Sequence, residues 1–353
     1  MDNTKTGIFL INLGSPDSPE IPHVRKYLRE FLGDPYVLDM PSVLRFLLLN
    51  FVILPKRPAL SSEAYKKIWT DKGSPLITNT AALTDSLQTK LSGFDDENFS
   101  VKYGMRYGNP SIKEVLQKFY DEGIKKIKVI PLYPQYAAAT TETSIVETKR
   151  AAALISKEFQ LEFITSFYNH PGFYEPFARI IREETDKYAR ENSIIFDHFI
   201  FSYHGLPEKA VLKADTSHRC LITAGCCEKM AGWNSNCYRA QCFETTRLIA
   251  KAMEIGDHWW TVSFQSRLGK TPWILPHTDR MIKNMPRMGF KNIALVAPSF
   301  VSDCLETLEE INMRGREMFT GAGGTHFLYV HSLNFENMWV NGLVKILDIP
   351  EKK

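Results

Sequence analysis

The sequence predicts an α/β protein with two doubly wound, Rossmann-like domains, each built on a parallel four-stranded sheet. Short apolar runs alternate with segments of helical periodicity along the whole chain. Such alternation is typical of parallel sheets covered by helices on both faces. The length of 353 residues suits about two domains.

Each half of the chain supplies four candidate strands. In the first half they are residues 8–13, 99–103, 127–132 and 161–165, and in the second 194–202, 260–264, 292–296 and 327–330. Apolar residues at helical spacing predict the connecting helices. These are expected at 24–31, 112–119, 142–159, 173–188, 242–253, 278–288, 305–319 and 336–347.

We expect an N-terminal domain at 1–168 and a C-terminal domain at 169–334. The last segment, 335–353, is expected to pack back on the N-terminal domain. In open α/β sheets the active site lies outside the carboxyl ends of the strands. That rule directs attention to Arg106, Tyr133, His204 and Ser266, which follow candidate strands.

Charge and motifs exclude two classes of function. The 43 basic and 40 acidic residues give a net charge of +3, and no basic run indicates nucleic-acid binding. No G-x-G-x-x-G follows the first strand and no Walker A sequence is present, so we expect no nucleotide cofactor. No signal peptide is expected at the N-terminus, and we predict a cytoplasmic protein.

The very apolar segment 43–54 has two interpretations. Its twelve residues are fewer than the roughly 20 that span a bilayer. It is either a buried core helix or an amphipathic lip at a membrane interface, with Lys56 and Arg57 at headgroup level. The second interpretation predicts peripheral contact with the inner face of the cell membrane.

Five of the six cysteines fall within 23 residues of an insertion at 218–242. They are Cys220, Cys226, Cys227, Cys237 and Cys242. In a cytosolic chain this cluster predicts a metal site in preference to disulfides. Four thiolates bind either Zn²⁺ or an iron–sulfur cluster, and a set of buried free thiols is the third reading.

His204 and two glutamates are candidates for chemistry. His204 ends a predicted strand, where a neutral imidazole can accept a proton or hold a metal. Glu306 and Glu310 are four residues apart and share one face of a predicted helix. They form either a solvated first turn that complements the helix dipole or a carboxylate pair directed into a site.

Eight dispersed motifs carry a family resemblance. They are LINLGSP (10–16), GSPL (73–76), RYGNP (106–110), YPQY (133–136) with TT (140–141), SYHGLP (202–207), FQSRLG (264–269), PW (272–273) and SDCLETL (302–308). With these motifs in this order, the chain resembles ferrochelatase, the last enzyme of haem synthesis, over nearly its whole length. The resemblance implies a chelatase-like fold with the active-site cleft between the domains.

The resemblance further implies a lyase that inserts Fe²⁺ into protoporphyrin IX and releases two protons. Coproporphyrin as substrate, or a non-catalytic tetrapyrrole or metal carrier, is the alternative. The apolar segment 43–54 favours the more apolar protoporphyrin. His204 and Glu306 match the family's catalytic residues and would contact the Fe²⁺ substrate. The matching substrate-binding positions are Arg57, Arg106, Tyr133, Ser266 and Trp273.

The sequence departs from the animal ferrochelatases at several positions. Cys304 stands where they have a histidine, and Leu60 where they have a lysine. Their [2Fe–2S] ligands lie in a C-terminal extension and at the segment matching 137–139, and this chain has neither set. The resemblance therefore implies an internal [2Fe–2S] cluster. We expect Cys220, Cys227, Cys237 and Cys242 as ligands, with Cys226 as the alternative to Cys227, at a domain edge away from His204.

Overall fold

The computed structural model describes residues 5–93, 99–221, 225–267, 269 and 271–349. The termini, 1–4 and 350–353, on which the expectations about a signal peptide and a C-terminal extension rest, lie outside the described residues. Leu268 of the FQSRLG motif and residues 222–224 of the insertion also lie outside them.

The described chain divides into two compact units. The first comprises the residues up to Tyr133, Ala137–Ser166 and the residues from Phe335 onward. The second comprises Pro134–Tyr136 and Phe167–Asn334. Each unit has its own parallel four-stranded sheet, so the predicted fold class is confirmed.

The first sheet has the strand order β2-β1-β3-β4. Its strands are β1 (Thr6–Asn12), β2 (Phe99–Met105), β3 (Lys126–Pro131) and β4 (Gln160–Phe163). The central strand β1 is apolar and fully buried from Ile8 to Ile11, as a parallel strand covered on both faces requires. The chain leaves β1 first to one side and then to the other, which opens a ligand-binding crevice at the carboxyl ends.

The second sheet repeats this topology, with the order β6-β5-β7-β8. Its strands are β5 (His198–His204), β6 (Trp260–Gln265), β7 (Asn292–Val296) and β8 (His326–Tyr329). Strand β5 is central and pairs with both β6 and β7. Its last residue, His204, therefore lies at the switch point of the second sheet.

Helices cover both sheets. In the described residues they are α1 (Ile21–Gly33), α2 (Ser42–Leu47), α3 (Leu54–Ile68), α4 (Pro75–Leu91), α5 (Ile112–Asp121), α6 (Thr143–Ile155), α7 (Pro171–Asn192), α8 (Glu208–Ala214), α9 (Tyr238–Ala252), α10 (Thr278–Asn284), α11 (Arg316–Gly321) and α12 (Asn337–Ile346). Three π-helical segments, Leu48–Ile53, Ala138–Glu142 and Glu306–Gly315, adjoin α3, α6 and α11.

Helix α5 shows how a local sequence forms its element. The Ser111 hydroxyl accepts the backbone N–H of Glu114, and the Glu114 carboxylate accepts the N–H of Ser111, so a capping box starts the helix. Its apolar residues then fall on one face and pack on the first sheet, among them Leu116 and Phe119, which are fully buried. The prediction of this helix is confirmed.

Helix α4 is absent from the sequence prediction. Its buried side includes Thr80 and Thr84, which interrupt the apolar periodicity. Each threonine hydroxyl donates to the carbonyl oxygen four residues earlier, at 2.6 and 2.8 Å respectively. The polar atoms are thus satisfied inside the helix, and the two threonines are buried on the same face as Leu83 and Leu87. Helix α12 packs against α4.

Candidate active site and cysteine cluster

His204 is held at the carboxyl end of β5 by three hydrogen bonds. Its backbone N–H donates to the Ser299 hydroxyl at 3.1 Å, and its carbonyl oxygen accepts from the Tyr238 hydroxyl at 2.8 Å. Its Nδ1 lies 2.7 Å from the Gly205 carbonyl oxygen. A carbonyl only accepts, so Nδ1 carries a proton, and the lone pair of the neutral ring is on Nε2.

Gly205 allows the chain after β5, the end of β6 at Gln265 and the segment at Trp273 to lie close together beside His204. Its N–H donates to the Gln265 carbonyl oxygen at 2.7 Å. A Cβ at this position would lie 2.7 Å from that oxygen and 3.2 Å from the Trp273 ring. Only glycine fits, and the Trp273 indole is thereby placed against the chain that leaves β5.

The two glutamates lie on a π-helix. The segment Glu306–Gly315 makes π-helical turns, a rare conformation that is frequent at functional sites. Burial raises the pKa of Glu310, and the nearby Glu306 carboxylate raises it further, while His204 lowers it. Glu310 is therefore not a solvated first-turn residue, and the carboxylate-pair interpretation fits the structure better.

Ser266 is bonded to Glu310. Its N–H and its hydroxyl donate to the two carboxylate oxygens at 3.0 and 2.7 Å. Ser266 has a left-handed backbone conformation with φ of 66°, which a non-glycine residue rarely adopts. The sequence resemblance predicted only a propionate contact for Ser266 and gave no sign of this partner.

A buried carboxylate anchors the start of the π-helix. Asp303 Oδ1 accepts from the hydroxyls of Thr307 and Tyr329 at 2.9 and 2.7 Å, and Oδ2 accepts from the Asn334 side-chain amide at 2.8 Å. These bonds tie the turn before Glu306 to the end of β8. The sequence analysis included Asp303 only as part of the SDCLETL motif and indicated none of these partners.

In the first unit, Arg106 lies within a network of buried polar groups. Its guanidinium pairs with the buried Asp34 carboxylate, donates through Nε to the Thr143 hydroxyl at 2.8 Å and lies 4.4 Å from the centre of the Tyr107 ring. The Thr143 hydroxyl donates to the same carboxylate at 2.6 Å. Asp34 was not predicted as part of any site.

Tyr133 and Arg57 occupy different surroundings in that unit. The Tyr133 hydroxyl is buried beyond the end of β3. Burial raises its pKa, and a hydrogen bond with the Ser144 side chain lowers it. Arg57 is exposed on α3. Its proposed propionate contact stays a prediction.

The segment 43–54 is not a buried core helix. Phe46, Phe51 and Val43 are 61, 70 and 68% exposed, and within the segment only Leu49 and Leu54 are buried. Exposed apolar residues this dense mark an interaction surface. We call residues 43–52 the apolar lip. None of the helices in the described ranges has the length and apolar character needed to cross a membrane.

The cysteines of the insertion lie close together in the second unit. All five are buried and none forms a disulfide. The Sγ atoms of Cys220 and Cys237 are 3.2 Å apart, and those of Cys226 and Cys227 are 3.7 Å apart. The Cys227 side chain also contacts Cys237, and this contact together with burial raises its pKa.

Two polar side chains shape the cysteine loop. The Asp215 carboxylate accepts from the Ser217 hydroxyl and from the N–H groups of Ser217, Arg219 and Cys220, and these bonds lower its pKa to about 2. Asn234 donates to the carbonyl oxygens of Cys226 and Lys229 at 3.1 and 2.9 Å. The loop is ordered by polar bonds, because it has few apolar residues.

The five thiol groups are chemically suited to bind a metal as thiolates. Their side chains are not arranged in the geometry of a metal site. Within the described ranges, no group of three or more His, Cys, Asp or Glu side chains is placed to hold a metal ion. The buried sulfur atoms instead meet in pairs, 3.2 and 3.7 Å apart.

Comparison with known proteins identifies the same family as the sequence motifs. The family model described as ferrochelatase matches residues 5–349. The chain belongs to the ferrochelatase family. The ferrochelatase of Coxiella burnetii (strain Dugway 5J108-111) is 39% identical over 345 residues, 98% of this chain and 94% of that protein. The ferrochelatase of Azotobacter vinelandii is 41% identical over 349 residues, 98% of this chain and 99% of that protein.

Solved structures show the same fold at low identity. The cobalt complex of the sirohydrochlorin chelatase SirB from Bacillus subtilis subspecies spizizenii has a TM-score of 0.51 and 10% identity, covering 98% of this chain and 94% of that one. SirB from Bacillus subtilis with Fe³⁺ has a TM-score of 0.53 and 9% identity over the same shares. The chain thus has the same fold as these chelatases.

Contacts in the described residues form two groups. His204, Ser266, Glu306, Glu310 and Trp273 surround the carboxyl ends of β5 and β6 in the second unit. Arg106 and Tyr133 lie at the carboxyl ends of β2 and β3 in the first. In this ferrochelatase Cys304 is buried beside Glu306, and burial raises its pKa.

Proposed function

We propose that the protein inserts Fe²⁺ into protoporphyrin IX and releases two protons, as a lyase of haem biosynthesis. Membership of the ferrochelatase family supports the reaction. The single observation that carries the residue roles is His204, fixed with a free Nε2 beside a π-helix that bears two glutamates.

His204 takes the first proton from a pyrrole nitrogen. The Gly205 carbonyl holds the Nδ1 proton, so the neutral ring presents the Nε2 lone pair. The same lone pair binds the Fe²⁺ substrate weakly, since imidazole suits ferrous iron. The Nε2 atom of His204 is thus proposed both to bind the Fe²⁺ substrate and, at a different step, to accept a proton.

Glu306 and Glu310 receive and pass on the protons. Burial and the nearby Glu306 carboxylate raise the pKa of Glu310, so this carboxyl group accepts a proton more readily than an exposed one. Ser266 fixes the position of the Glu310 oxygens through two hydrogen bonds. The pair is therefore proposed as the exit for the protons that the porphyrin loses.

The remaining predicted residues are proposed to bind the porphyrin. Trp273 offers an aromatic surface beside Gly205. Tyr133 offers a buried hydroxyl and Arg57 an exposed positive charge. Arg106 reaches a propionate only if it releases the Asp34 carboxylate. Ser266 reaches a propionate only if it releases Glu310. The apolar lip favours protoporphyrin over the more carboxylated coproporphyrin.

An anaerobic assay with purified protein tests this function. Adding Fe²⁺ and protoporphyrin IX should give the absorption spectrum of haem, with a lower kcat/KM for coproporphyrin. The His204→Ala variant should bind porphyrin and form no haem, whereas His258→Ala, a change at an exposed histidine, should be as active as wild type. A carrier would bind both substrates and form no haem in any variant.

We also propose that Cys220, Cys227, Cys237 and Cys242 hold a [2Fe–2S] cluster. The buried, closely spaced thiols support it, and the cluster would supply four metal–sulfur bonds that order the polar loop. Anaerobic, iron-replete protein should contain about two iron and two acid-labile sulfide per chain. Colourless protein with one zinc per chain would reject the cluster and leave the chelatase function standing.

Matched serine variants distinguish the ligands. Cys227→Ser should abolish the cluster absorbance and Cys226→Ser should retain it, because Cys227 contacts Cys237. The opposite result would assign Cys226 as the ligand. Cys304→Ser serves as a control and should leave the absorbance unchanged, since Cys304 lies beside Glu306.

We further propose that the apolar lip contacts the inner face of the cell membrane from the cytoplasm. Its exposed apolar side chains, followed by the exposed Lys56 and Arg57, fit the interface of an anionic bilayer. Replacing Phe46, Phe51 and Val52 with serine should weaken flotation with anionic vesicles. The same change at the exposed Leu154, Ile195 and Met288 is the matched control and should leave flotation unchanged.

A further inference from the structure

A layer of polar side chains lies on the face of the second sheet that carries His204. In the parallel ladder of β5 and β6, Ser202 pairs with Ser263 and His204 pairs with Gln265. Because side chains alternate along a strand and paired residues share a face, these four residues lie on the same side of the sheet. Ser202, Ser263 and Gln265 are buried, so their polar groups must bond to one another or to neighbouring segments.

The hydrogen bonds of this layer can run in one direction only. The Glu306 carbonyl oxygen only accepts, so Nε2 of the Gln265 amide faces it at 3.2 Å and Oε1 accepts from the Ser202 hydroxyl at 2.8 Å. The single hydroxyl proton of Ser202 is used in that bond, so the Thr278 hydroxyl, 2.8 Å away, must donate to Ser202. For the same reason Ser263, 2.8 Å from Thr278, must donate to Thr278. We call Ser263, Thr278 and Ser202 the hydroxyl chain, and it fixes the direction of the Gln265 amide.

Gln265 is bonded to both reacting segments of the second unit. Its backbone carbonyl accepts the N–H of Gly205, directly after the active-site histidine, at 2.7 Å. Its side-chain amide donates to the carbonyl oxygen of Glu306, the first residue of the π-helix. The next residue, Ser266, holds the Glu310 carboxylate. Two consecutive residues of the FQSRLG motif thus tie both glutamates to the strand that pairs with β5.

Other bonds fix the backbone of His204 itself. Its N–H donates to the Ser299 hydroxyl, and its carbonyl oxygen accepts from Tyr238, the first residue of α9. Tyr238 directly follows Cys237, so the expectation that the cysteine insertion lies away from His204 is wrong. These bonds hold the histidine in place, whereas Gln265 connects the histidine strand to the glutamates.

We propose that Gln265 is a positioning residue for metal insertion. Its amide sets the Glu306 carboxylate relative to the His204 imidazole, and the hydroxyl chain keeps the amide from turning over. With the amide reversed, its oxygen would face the Glu306 carbonyl oxygen, and two acceptors form no hydrogen bond. Gln265 is buried and acts through the π-helix, without contact with the porphyrin or the iron. The proposal rests on the proposed function, in which His204 and Glu306 receive the protons of the porphyrin.

Gln265→Met tests the positioning role, because methionine keeps the length of the side chain and cannot donate a hydrogen bond. We expect kcat to fall about ten-fold, since the change leaves the Glu306 carbonyl and the Ser202 hydroxyl without this partner. The KM for porphyrin should stay near the wild-type value. A merely structural defect would reduce the amount of folded enzyme, measured by circular dichroism, and leave its kcat unchanged. A wild-type kcat per folded molecule would overturn the role of Gln265.

Ser202→Ala and Tyr203→Phe form a matched pair. Each removes one buried hydroxyl from β5, but Ser202 bonds to Gln265, whereas Tyr203 bonds to Thr246 on α9 at 2.8 Å. We expect Ser202→Ala to lower kcat about three-fold, the scale of one neutral hydrogen bond, and Tyr203→Phe to keep the wild-type kcat. Equal losses would show that any weakening of β5 has this effect and would overturn the proposal. The pair also decides the matter if Gln265→Met fails to fold.

A double variant tests whether the hydroxyl chain acts through the amide. Ser202→Ala should change kcat little in the Gln265→Met background, because both changes break one path. Independent, multiplying losses, or a wild-type kcat in Ser202→Ala alone, would overturn the role of the hydroxyl chain. Wild-type protein that forms no haem would reject the proposed function and the role of Gln265 with it. Active wild type beside a fully active Gln265→Met variant would reject the role of Gln265 alone and leave the proposed function standing.

Discussion

Ser266 donates both its backbone N–H and its hydroxyl to the carboxylate of Glu310, at 3.0 and 2.7 Å. The two residues are 44 positions apart, and the left-handed backbone of Ser266 turns both donors toward the π-helix. The arrangement fixes one carboxylate of the proposed proton exit. It also stores local strain, which is common at active sites.

We expect Ser266→Ala to lower kcat about three- to ten-fold, the scale of one lost hydrogen bond. The hydroxyl lowers the pKa of Glu310, so its removal should raise that pKa and move the acidic limb of the kcat profile to higher pH. Ser266→Gly loses the same hydroxyl and relieves the positive φ. It should match the alanine variant in kcat and exceed it in stability. Equal pH profiles in wild type and both variants would contradict this role.

We expect Glu306→Gln to lower kcat at least about a hundred-fold, because the amide keeps the shape and cannot accept a proton. Porphyrin binding, followed by fluorescence quenching, should be unchanged. Glu317→Gln, at an exposed glutamate of α11, is the control and should be fully active. A loss of only a few-fold would return Glu306 to a solvated helix turn.

We expect Asp34→Asn to lower the free energy of unfolding by about 3 kcal/mol, since it leaves the Arg106 guanidinium without its buried partner. Arg106→Met alone should also destabilise, by leaving the Asp34 charge unpaired. The double variant should recover part of the loss, because an uncharged pair needs no compensation. Urea denaturation measures all three, and strictly additive losses would show that the two residues act independently.

The pair of His331 and Glu184 predicts a pH-dependent stability. Their side chains lie 3.2 Å apart, and the hydrogen bond to Glu184 raises the pKa of His331 to about 9 from 6.5. A raised pKa stabilises the folded state fully below pH 6.5 and loses that stabilisation as the pH rises through 9.

Glu184→Gln should therefore melt about 2 °C below wild type at pH 6, a modest shift because both side chains are about one third exposed. The difference should vanish above the raised pKa of His331. Glu183→Gln, at the neighbouring exposed position, should show no such pH dependence. A constant difference across the range would exclude the His331 pair as the cause.

The strands and the switch-point histidine were predictable because both signals are local. All eight predicted strands occur among the described residues, with ends that differ by a few positions. Short apolar runs of this kind form the buried strands of a parallel sheet. A residue at the carboxyl end of a central strand lies at the crevice, whatever the packing of the helices. The motifs likewise identified the family without coordinates.

The sequence alone left two interpretations of the segment 43–54 open. An apolar run of this length suits a core helix and an exposed lip equally well, and the structure leaves Phe46 and Phe51 exposed. The π-helical turns at Glu306–Gly315 were equally hidden. They depend on bonds to distant parts of the chain, from Tyr329 to Asp303 and from Ser266 to Glu310.

The sequence by itself determined the two α/β units, the family, the place of His204 and the existence of a cysteine cluster. Tertiary structure alone decided which side chains bond to the site residues. Ser266 bonds to Glu310, Asp34 to Arg106 and Tyr238 to His204. The reason is physical. Strand and helix patterns arise from neighbours in the chain, whereas a hydrogen bond between residues 34 or 72 positions apart exists only after loops and helices have packed.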